Sequence, residues 1–246
     1  MSGHSKWSSI KHKKAAVDAK RGKLFGRLIR EITIAARMGG GDENANSRLR
    51  RAVAGAKAAN MPMDNIQRAI LKGTGELEGT QIEEITYGGF APGGVAILIE
   101  VMTDNRNRTT PEIRHIFSRH GGNLAETGSV AHLFERKGYI LVDGTTVDED
   151  NLLEIALEAG AEDMSEDEGN FEILTDPNGF DNVVDALSKK EISMLESQIA
   201  MIPGTLIKVE GKQAEQVLKM VELFDDHEDV QNIWTNFDID EELLQS

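Results

Sequence analysis

The sequence of 246 residues contains no cysteine, only five prolines and few aromatic residues. Without cysteine the chain can form no disulfide, no thiolate zinc site and no cysteine nucleophile. Long apolar runs are also missing, because the longest, residues 95–99, is followed by Glu100, whereas a membrane-spanning helix needs about 20 apolar residues. The first residues lack the apolar stretch of a secretory signal. We therefore expect a cytoplasmic protein with no membrane partner.

Positive charge is concentrated at one end of the chain. Residues 1–75 contain 16 lysines and arginines and 5 aspartates and glutamates, a net charge of +11. Residues 76–246 contain 11 lysines and arginines and 37 aspartates and glutamates, a net charge of −26. The overall charge of −15 therefore conceals a polarised molecule. Such asymmetry is typical of proteins whose basic part binds a nucleic acid or a membrane surface, and because no membrane partner is expected, it points to a nucleic acid.

The first third divides into an arm and a helical domain. Residues 1–22 are rich in Lys, His and Ser and have no apolar stripe, which indicates a mobile or loosely docked basic arm. Over residues 23–38, apolar side chains recur at three- and four-residue steps and predict a helix. Ser47 is expected to cap a second helix, and Pro62 to open a third. Residues 23–76 thus form the expected helical basic domain.

From residue 82 onwards the pattern changes to strands and helices. Residues 137–202 follow the order β-α-β-β-α-β, the split βαβ pattern of ferredoxin-like domains. The block 82–136 lacks a closing helix and strand, and residues 203–246 have one of each to spare. These two blocks are expected to form one discontinuous domain, with the acidic domain 137–202 inserted into it. The predicted fold is α+β and multidomain, with an N-terminal three-helix domain and two ferredoxin-like domains.

Three local assignments depend on short signals. Thr110-Pro111 predicts the start of a helix, because proline favours the first helical position. Residues 130–134 have strand character. The run Thr146 to Glu149 is a capping-box pattern for another helix.

No motif specifies a reaction or a cofactor. The glycine-rich segments lack the Gly-Lys-Ser/Thr ending of a P-loop and the spacing of a dinucleotide fingerprint, so helix ends and turns explain them. No two of the six histidines form a His-x₃-His pair with a Glu between them, and His115 and His120 are five residues apart, a poor spacing for two ligands on one helix face. The carboxylates of residues 76–246 have the pattern of solvated faces and helix caps, and the acidic stretch 162–168 has no partnering base. We therefore predict that the protein is not an enzyme and that it has no metal site and no cofactor.

The basic residues of the first third point to nucleic acid. Four cations of the first predicted helix fall on a face separate from the apolar one: Lys23, Arg27, Arg30 and Arg37. Rows of such side chains bind phosphates and release counterions, which gives affinity without sequence specificity. Trp7 could stack on an exposed base or anchor the arm. No helix shows a set of base-reading polar residues, so phosphate contacts are expected to dominate.

The polar link 103–110 is a second candidate. It contributes Arg106 and Arg108, two of the few arginines in the acidic part. This link has two interpretations: a loop whose arginines pair with neighbouring carboxylates, or a secondary contact with phosphate.

Several motifs resemble the YebC/PmpR family. They are Gly3-His4-Ser5-Lys6-Trp7, Lys20-Arg21-Gly22-Lys23-Leu24-Phe25, Asn60-Met61-Pro62, Thr103-Asp104-Asn105 and Gly128-Ser129-Val130-Ala131. The resemblance covers essentially the whole chain in order. Phe90 stands where the family usually has tyrosine, and Ala91 and Ala125 stand where glycine is common, which concerns local loop geometry.

The resemblance implies one helical and two α+β domains, with the last inserted in the second. Bacterial members of the family are generally described as DNA-binding transcriptional regulators. Some members, and a mitochondrial relative that activates translation of a cytochrome oxidase subunit, are instead linked to the ribosome and to relief of stalled synthesis. The family supplies no settled catalytic residues.

We therefore expect a non-enzymatic regulator that binds nucleic acid, in the first place a DNA-binding transcriptional regulator. The alternative is a ribosome-associated translation factor that binds ribosomal or transfer RNA, because a Lys/His arm suits irregular RNA at least as well as a duplex. The acidic domains could present surfaces to protein partners, and no small-molecule substrate is expected. The residues expected to contact nucleic acid are Lys6, Trp7, Lys11, His12, Lys13, Lys14, Lys20, Arg21, Lys23, Arg27, Arg30, Arg37, Arg48, Arg51 and Lys57, with Arg106 and Arg108 as the secondary contact.

Overall fold

The structure is a computed structural model. It describes residues 19–79, 81–167 and 169–239, with side chains from residue 22 onwards. The chain forms two compact units, a smaller one of residues 133–204 and a larger one that contains the described residues 19–132 and 205–239. Within the larger unit we distinguish a helical part, up to residue 76, and a sheet part. The domain limits expected from the sequence stay predictions.

The elements follow each other along the chain. The helical part contains α1 (Ala19–Gly39), α2 (Ser47–Ala58) and α3 (Met63–Thr74). The sheet part begins with β1 (Glu83–Phe90), β2 (Ala96–Thr103), α4 (Arg106–Arg119), β3 (Asn123–Ala125) and α5 (Thr127–Ala131). The smaller unit contains β4 (Phe134–Asp143), α6 (Glu149–Glu158), β5 (Ala161–Asp167), β6 (Asn170–Thr175), α7 (Phe180–Lys189) and β7 (Met194–Pro203). The sheet part ends with β8 (Ile207–Lys208), α8 (Gly211–Asp226), β9 (Val230–Thr235) and β10 (Phe237–Asp238).

The three predicted helices of the helical part are confirmed, although α1 begins at Ala19 rather than at residue 23. Asn46, and not Ser47, caps α2, because its side chain accepts a hydrogen bond from the backbone N–H of Leu49 at 3.0 Å. The Asn46 amide also donates to the carbonyls of Ala35 and Gly40, at 2.8 and 2.9 Å. One buried side chain therefore fixes both the start of α2 and the loop that precedes it.

Helix α1 packs against both α2 and α3 around a shared apolar core. Ile32, Leu49 and Ile66 contribute to this core and are almost completely buried. Where α1 meets α3, a Cβ on Gly73 would lie 2.4 Å from the carbonyl oxygen of Thr33. Glycine is therefore required at this position for the two helices to approach so closely.

The sheet part contains a four-stranded antiparallel sheet in the order β3-β1-β2-β9. The hairpin of β1 and β2 lies in the middle of this sheet. Helices α4 and α8 pack on one face, where the rings of Phe117 and Phe224 are 4.8 Å apart. Strands β8 and β10 form a separate parallel pair. The last two residues of α8, Asp225 and Asp226, belong to the same unit as the helical part.

The smaller unit contains a four-stranded antiparallel sheet in the order β5-β6-β4-β7. Helices α6 and α7 contribute Leu152 and Val183 to a core with Ile140 and Ile173. This order is the split βαβ arrangement that the sequence predicted for this block. In the sheet of the larger unit the order is different, because the β1–β2 hairpin occupies the centre. The α+β multidomain fold class is confirmed.

The structure corrects the three local assignments made from short signals. Helix α4 starts at Arg106, because Asn105 caps it, and Pro111 lies inside it. The expected strand over residues 130–134 begins only at Phe134, because Val130 belongs to α5. The cap of α6 is Asp148, whose side chain accepts a hydrogen bond from the N–H of Asn151 at 3.0 Å.

Candidate nucleic-acid interface

The basic side of α1 faces an acidic segment of the same unit. Residues 23, 27 and 30 are four and three positions apart, so they share one side of the helix. We use the name α1 stripe for Lys23, Arg27 and Arg30. We use the name acidic segment for residues 225–229, which are the end of α8 and the turn that follows it.

Two cations of the α1 stripe pair with the end of α8. Lys23 Nζ lies 3.1 Å from Asp226 Oδ1. Arg27 donates from both terminal nitrogens to Asp225 Oδ1, each at 3.1 Å, and from Nη2 to the Asp225 carbonyl oxygen at 2.6 Å. The side chain of Arg27 keeps only 13% of its surface exposed, and that of Lys23 keeps 22%. These two cations are therefore paired with carboxylates of the same chain.

Asp229 connects the third cation, Arg30, to the start of α4. Arg30 donates to the carbonyl oxygen of Glu228 at 2.6 Å, and its Nη2 lies 3.7 Å from Asp229 Oδ1. Asp229 Oδ2 accepts hydrogen bonds from Thr109 Oγ1 at 2.7 Å and from Arg108 Nη2 at 2.8 Å. Burial raises the pKa of Asp229, but the hydrogen bonds from Thr109 and Arg108 outweigh it and hold the pKa below its usual value. The buried carboxylate therefore remains ionised at neutral pH.

The two arginines of the link 103–110 have different surroundings. Arg108 is bound to Asp229 and also lies 3.4 Å from Asp104 Oδ1. The hydrogen bond to Asp229, with the charge of that carboxylate, raises the pKa of Arg108. Arg106 is exposed at the start of α4. The pairing of Arg108 favours the loop interpretation for this residue, and the secondary phosphate contact stays a prediction.

Arg48 connects α2 to both α1 and β1. Its Nε lies 2.7 Å from Glu31 Oε1, and its Nη2 lies 2.8 Å from Glu84 Oε1. Burial lowers the pKa of Arg48, but the hydrogen bonds that Arg48 donates to the two carboxylates outweigh it and raise the pKa above its usual value. Arg37, near the end of α1, is exposed and donates to the carbonyl oxygen of Ile82 at 2.6 Å.

The remaining predicted cations of the described region lie on α2. Lys57 is exposed, and its Nζ is 3.7 Å from Glu43 Oε2. Arg51 is half-buried. Eleven of the predicted contact residues lie in α1, α2 and α4. They are Lys20, Arg21, Lys23, Arg27, Arg30, Arg37, Arg48, Arg51, Lys57, Arg106 and Arg108.

The other predicted contacts lie outside the described residues. They are Lys6, Trp7, Lys11, His12, Lys13 and Lys14, and for Lys20 and Arg21 only the helical backbone is described. Their role in binding nucleic acid stays a prediction.

Two exposed cations of α3 were missed by the sequence reasoning. Arg68 and Lys72 are four residues apart and lie on the side of α3 away from Ile66, Ala69 and Ile70. Their spacing is the signal that could have found them, because cations four positions apart share one helix face when the apolar residues occupy another. They extend the candidate interface beyond α1 and α2.

Among the described residues, no group of three or more His, Asp or Glu side chains could hold a metal ion. No helix in the described ranges is long and apolar enough to cross a membrane.

The fold and the site define a class of protein: a multidomain α+β protein whose basic helical part is bound to its sheet part through ion pairs. Residues 5–76 match the TACO1/YebC protein N-terminal domain, and residues 82–237 match the TACO1/YebC second and third domain. The chain belongs to the TACO1/YebC family.

Relatives resemble the chain over its full length. A protein of Syntrophus aciditrophicus named "Probable transcriptional regulatory protein" is 56% identical over 100% of this chain and 98% of its own. A protein of Geobacter sulfurreducens with the same descriptive name is 54% identical over 100% of this chain and 99% of its own. The crystal structure of a conserved hypothetical protein from Aquifex aeolicus matches with a TM-score of 0.87 and 50% identity, and covers 96% of this chain and 98% of that one.

Proposed function

We propose that this protein is a non-enzymatic regulator that binds nucleic acid through its basic N-terminal part, with DNA as its target and transcription as the process it controls. The names of the bacterial relatives support the regulatory role. The observation that carries the nucleic-acid assignment is the net charge of +11 on residues 1–75, in a chain whose other residues carry −26. A polyanion is the partner that such a distribution attracts.

In this structure the exposed cations are the ones that can bind phosphate groups. Arg68 and Lys72 project from α3 into solvent, and Lys57 projects from α2. The ion pair of Lys57 with Glu43 is exposed on both sides, so it contributes about 0–1 kcal/mol and can be exchanged for a phosphate at little cost. Six further lysines and arginines precede residue 22. The proposed contact surface is therefore the arm together with the outer sides of α2 and α3.

Weak sequence specificity follows from this arrangement. The α1 stripe is half-buried against the acidic segment, so α1 does not offer that side to a DNA groove in the described state. Contacts from lysines and arginines to phosphates fix position but carry no sequence information. We expect binding whose affinity falls steeply with salt and depends little on base sequence.

RNA on the ribosome is the second candidate target. The observation that favours it is the distribution of exposed cations over α2 and α3, rather than along one helix that could enter a major groove. Structured RNA is recognised largely through its shape and its phosphates, which cations spread over several elements can contact. In this case the protein acts on translation.

The binding surface is tested by charge reversal in the full-length chain. Lys13→Glu/Lys14→Glu and Arg68→Glu/Lys72→Glu should each weaken binding to random duplex DNA in fluorescence anisotropy and reduce the salt slope by about 2, since each lost phosphate contact contributes about 0.9. The matched control is Lys189→Glu/Lys190→Glu, which changes the same charge at exposed positions of the smaller unit. Equal losses in all three proteins would contradict the proposed surface.

The choice between DNA and RNA is tested in cells. Crosslinking followed by sequencing of the bound nucleic acid should recover chromosomal DNA if the transcriptional proposal holds. Recovery of ribosomal RNA, with salt-sensitive sedimentation on ribosomes and no promoter footprint, would replace it by the translational alternative.

A further inference from the structure

The acidic segment presents to the α1 stripe the same kind of acceptors that a phosphate backbone presents. Both terminal nitrogens of Arg27 bind one carboxylate oxygen, Oδ1 of Asp225, and arginine binds phosphate oxygens with the same two nitrogens. Lys23 binds a second carboxylate, that of Asp226, as a point charge. The carbonyl oxygens of Asp225 and Glu228 accept further hydrogen bonds from Arg27 and Arg30.

This contact is polar. Among the described residues, the buried apolar side chains of the helical part and those of the sheet part form separate clusters, and no residue belongs to both. The α1 stripe therefore meets the acidic segment through charges and hydrogen bonds. Interactions between partly exposed charges weaken as salt rises, and they respond to competing ions. A polyanion is such a competitor.

Arg27 keeps one donor unsatisfied in this contact. Its Nε is buried and has no hydrogen-bond partner among the described residues, while its terminal nitrogens bind Asp225. A guanidinium carries five N–H donors, and a buried donor without an acceptor destabilises the state that contains it. The acidic segment is therefore an incomplete partner for Arg27. A phosphodiester, which brings several oxygens to one place, can offer an acceptor to Nε as well.

From these three observations we infer that the acidic segment is an internal competitor of nucleic acid. In the closed state it covers Lys23, Arg27 and Arg30 with carboxylates and carbonyl oxygens. A phosphate backbone that first binds the exposed cations displaces it and gains the α1 stripe as further contacts. The inference rests on the proposed function and specifies how that same binding site is regulated.

The first experiment removes the competing charge. Asp225→Asn/Asp226→Asn keeps the size of both side chains but removes the anions that face Arg27 and Lys23. The full-length variant should bind random duplex DNA about tenfold more tightly near 100 mM salt, because its Lys23 and Arg27 reach phosphates without first leaving a carboxylate. Unchanged affinity would overturn the inference.

A matched control separates competition from a general change in charge. Asp163→Asn/Glu166→Gln removes the same two negative charges from exposed positions of β5 in the smaller unit. This variant should bind DNA as the wild type does. An equal gain in the control and in the Asp225→Asn/Asp226→Asn variant would also overturn the inference, since any loss of negative charge would then suffice.

The second experiment holds the contact closed. Because the chain has no cysteine, Lys23→Cys/Asp226→Cys supplies the only two thiols, at positions whose native side chains meet at 3.1 Å. A short reducible crosslinker between them should weaken binding to DNA and to structured RNA several-fold, and reduction should restore it in the same sample. A crosslinked protein that binds as tightly as the reduced one would refute the competition.

The outcomes also distinguish this inference from the proposed function. If the wild type binds nucleic acid and neither experiment changes its affinity, only the competition fails. If neither the wild type nor any variant binds DNA or RNA, the proposed function fails together with the inference.

Discussion

Arg48 of α2 and Glu84 of β1 form a forked ion pair, with Nη2 2.8 Å from Oε1 and Nη1 3.0 Å from Oε2. The same guanidinium donates to Glu31 of α1. Together with the contact between the α1 stripe and the acidic segment, this pair joins the helical part to the sheet part at a second place. Much of the positive charge that resembles a phosphate-binding stripe in the sequence therefore has an architectural role in the described state.

The first prediction concerns the stability that Arg48 provides. Arg48→Met should lower the free energy of unfolding by about 2 kcal/mol, because it leaves the carboxylates of Glu31 and Glu84 without their shared donor. Arg48→Lys should recover only part of this loss, since an ammonium cannot bind two carboxylates as a planar fork does. Urea unfolding measures the difference. Arg68→Met, an exposed change on α3, should stay within about 0.5 kcal/mol of the wild type, and equal losses at both sites would contradict the assignment.

The second prediction concerns Asp229 and pH. Asp229→Asn should destabilise the protein by about 2–3 kcal/mol at neutral pH, because Thr109 and Arg108 lose a charged, buried acceptor. The pKa of Asp229 in the folded state lies below its usual value, so its ionised form is favoured by folding. Its contribution is present above the unfolded-state pKa and is lost as the pH falls through the folded-state pKa.

The measurement is the difference in unfolding free energy between the wild type and Asp229→Asn from pH 7 down to acid. The difference should be constant near neutrality and shrink below about pH 4. Asp104→Asn is the control, because this exposed carboxylate also faces Arg108, at 3.4 Å, yet should change stability by less than about 1 kcal/mol. A difference that stays constant into acid would argue against the ionised Asp229.

The sequence predicts local structure well where a periodic apolar pattern exists. The side chains that form the core of α1, α2 and α3 recur at helical steps, so the three helices could be found without any tertiary information. The start of α4 could not, because Pro111 suggests a first helical position, whereas the polar contacts of Asn105 and Thr109 begin the helix five residues earlier.

The partners of the α1 stripe were beyond a single sequence. Arg27 and Asp225 are 198 positions apart, and nothing in the local pattern of either residue distinguishes a cation that binds carboxylates from one that binds phosphates. The fold brings them together because α8 returns to the larger unit after residues 133–204. Spacing identified the stripe, and only tertiary structure identified what it faces.

The third prediction compares two helix caps. Asn46→Ala removes the cap of α2 and also two hydrogen bonds from a buried amide to the carbonyls of Ala35 and Gly40. It should cost about 2–3 kcal/mol, the sum of a lost cap and of carbonyls left without donors. Asp148→Ala removes only an exposed cap, that of α6, and should cost about 1 kcal/mol. Equal costs in urea unfolding would show that the loop contacts of Asn46 contribute nothing.

The last prediction is that the same substitution, glycine to alanine, changes the stability of the protein in opposite directions at two positions. Gly73→Ala should destabilise the protein by more than about 2 kcal/mol, because the new methyl group would lie 2.4 Å from the carbonyl oxygen of Thr33 and would force α1 and α3 apart. Gly55→Ala should stabilise it by about 0.5–1 kcal/mol, because this glycine lies inside α2, is exposed, and its new Cβ would meet only Leu28 Cδ2 at 3.5 Å. Thermal or urea unfolding of the two variants beside the wild type checks both signs. A stable Gly73→Ala protein would mean that the helices approach less closely than the structure shows, since alanine is otherwise the better residue in a helix.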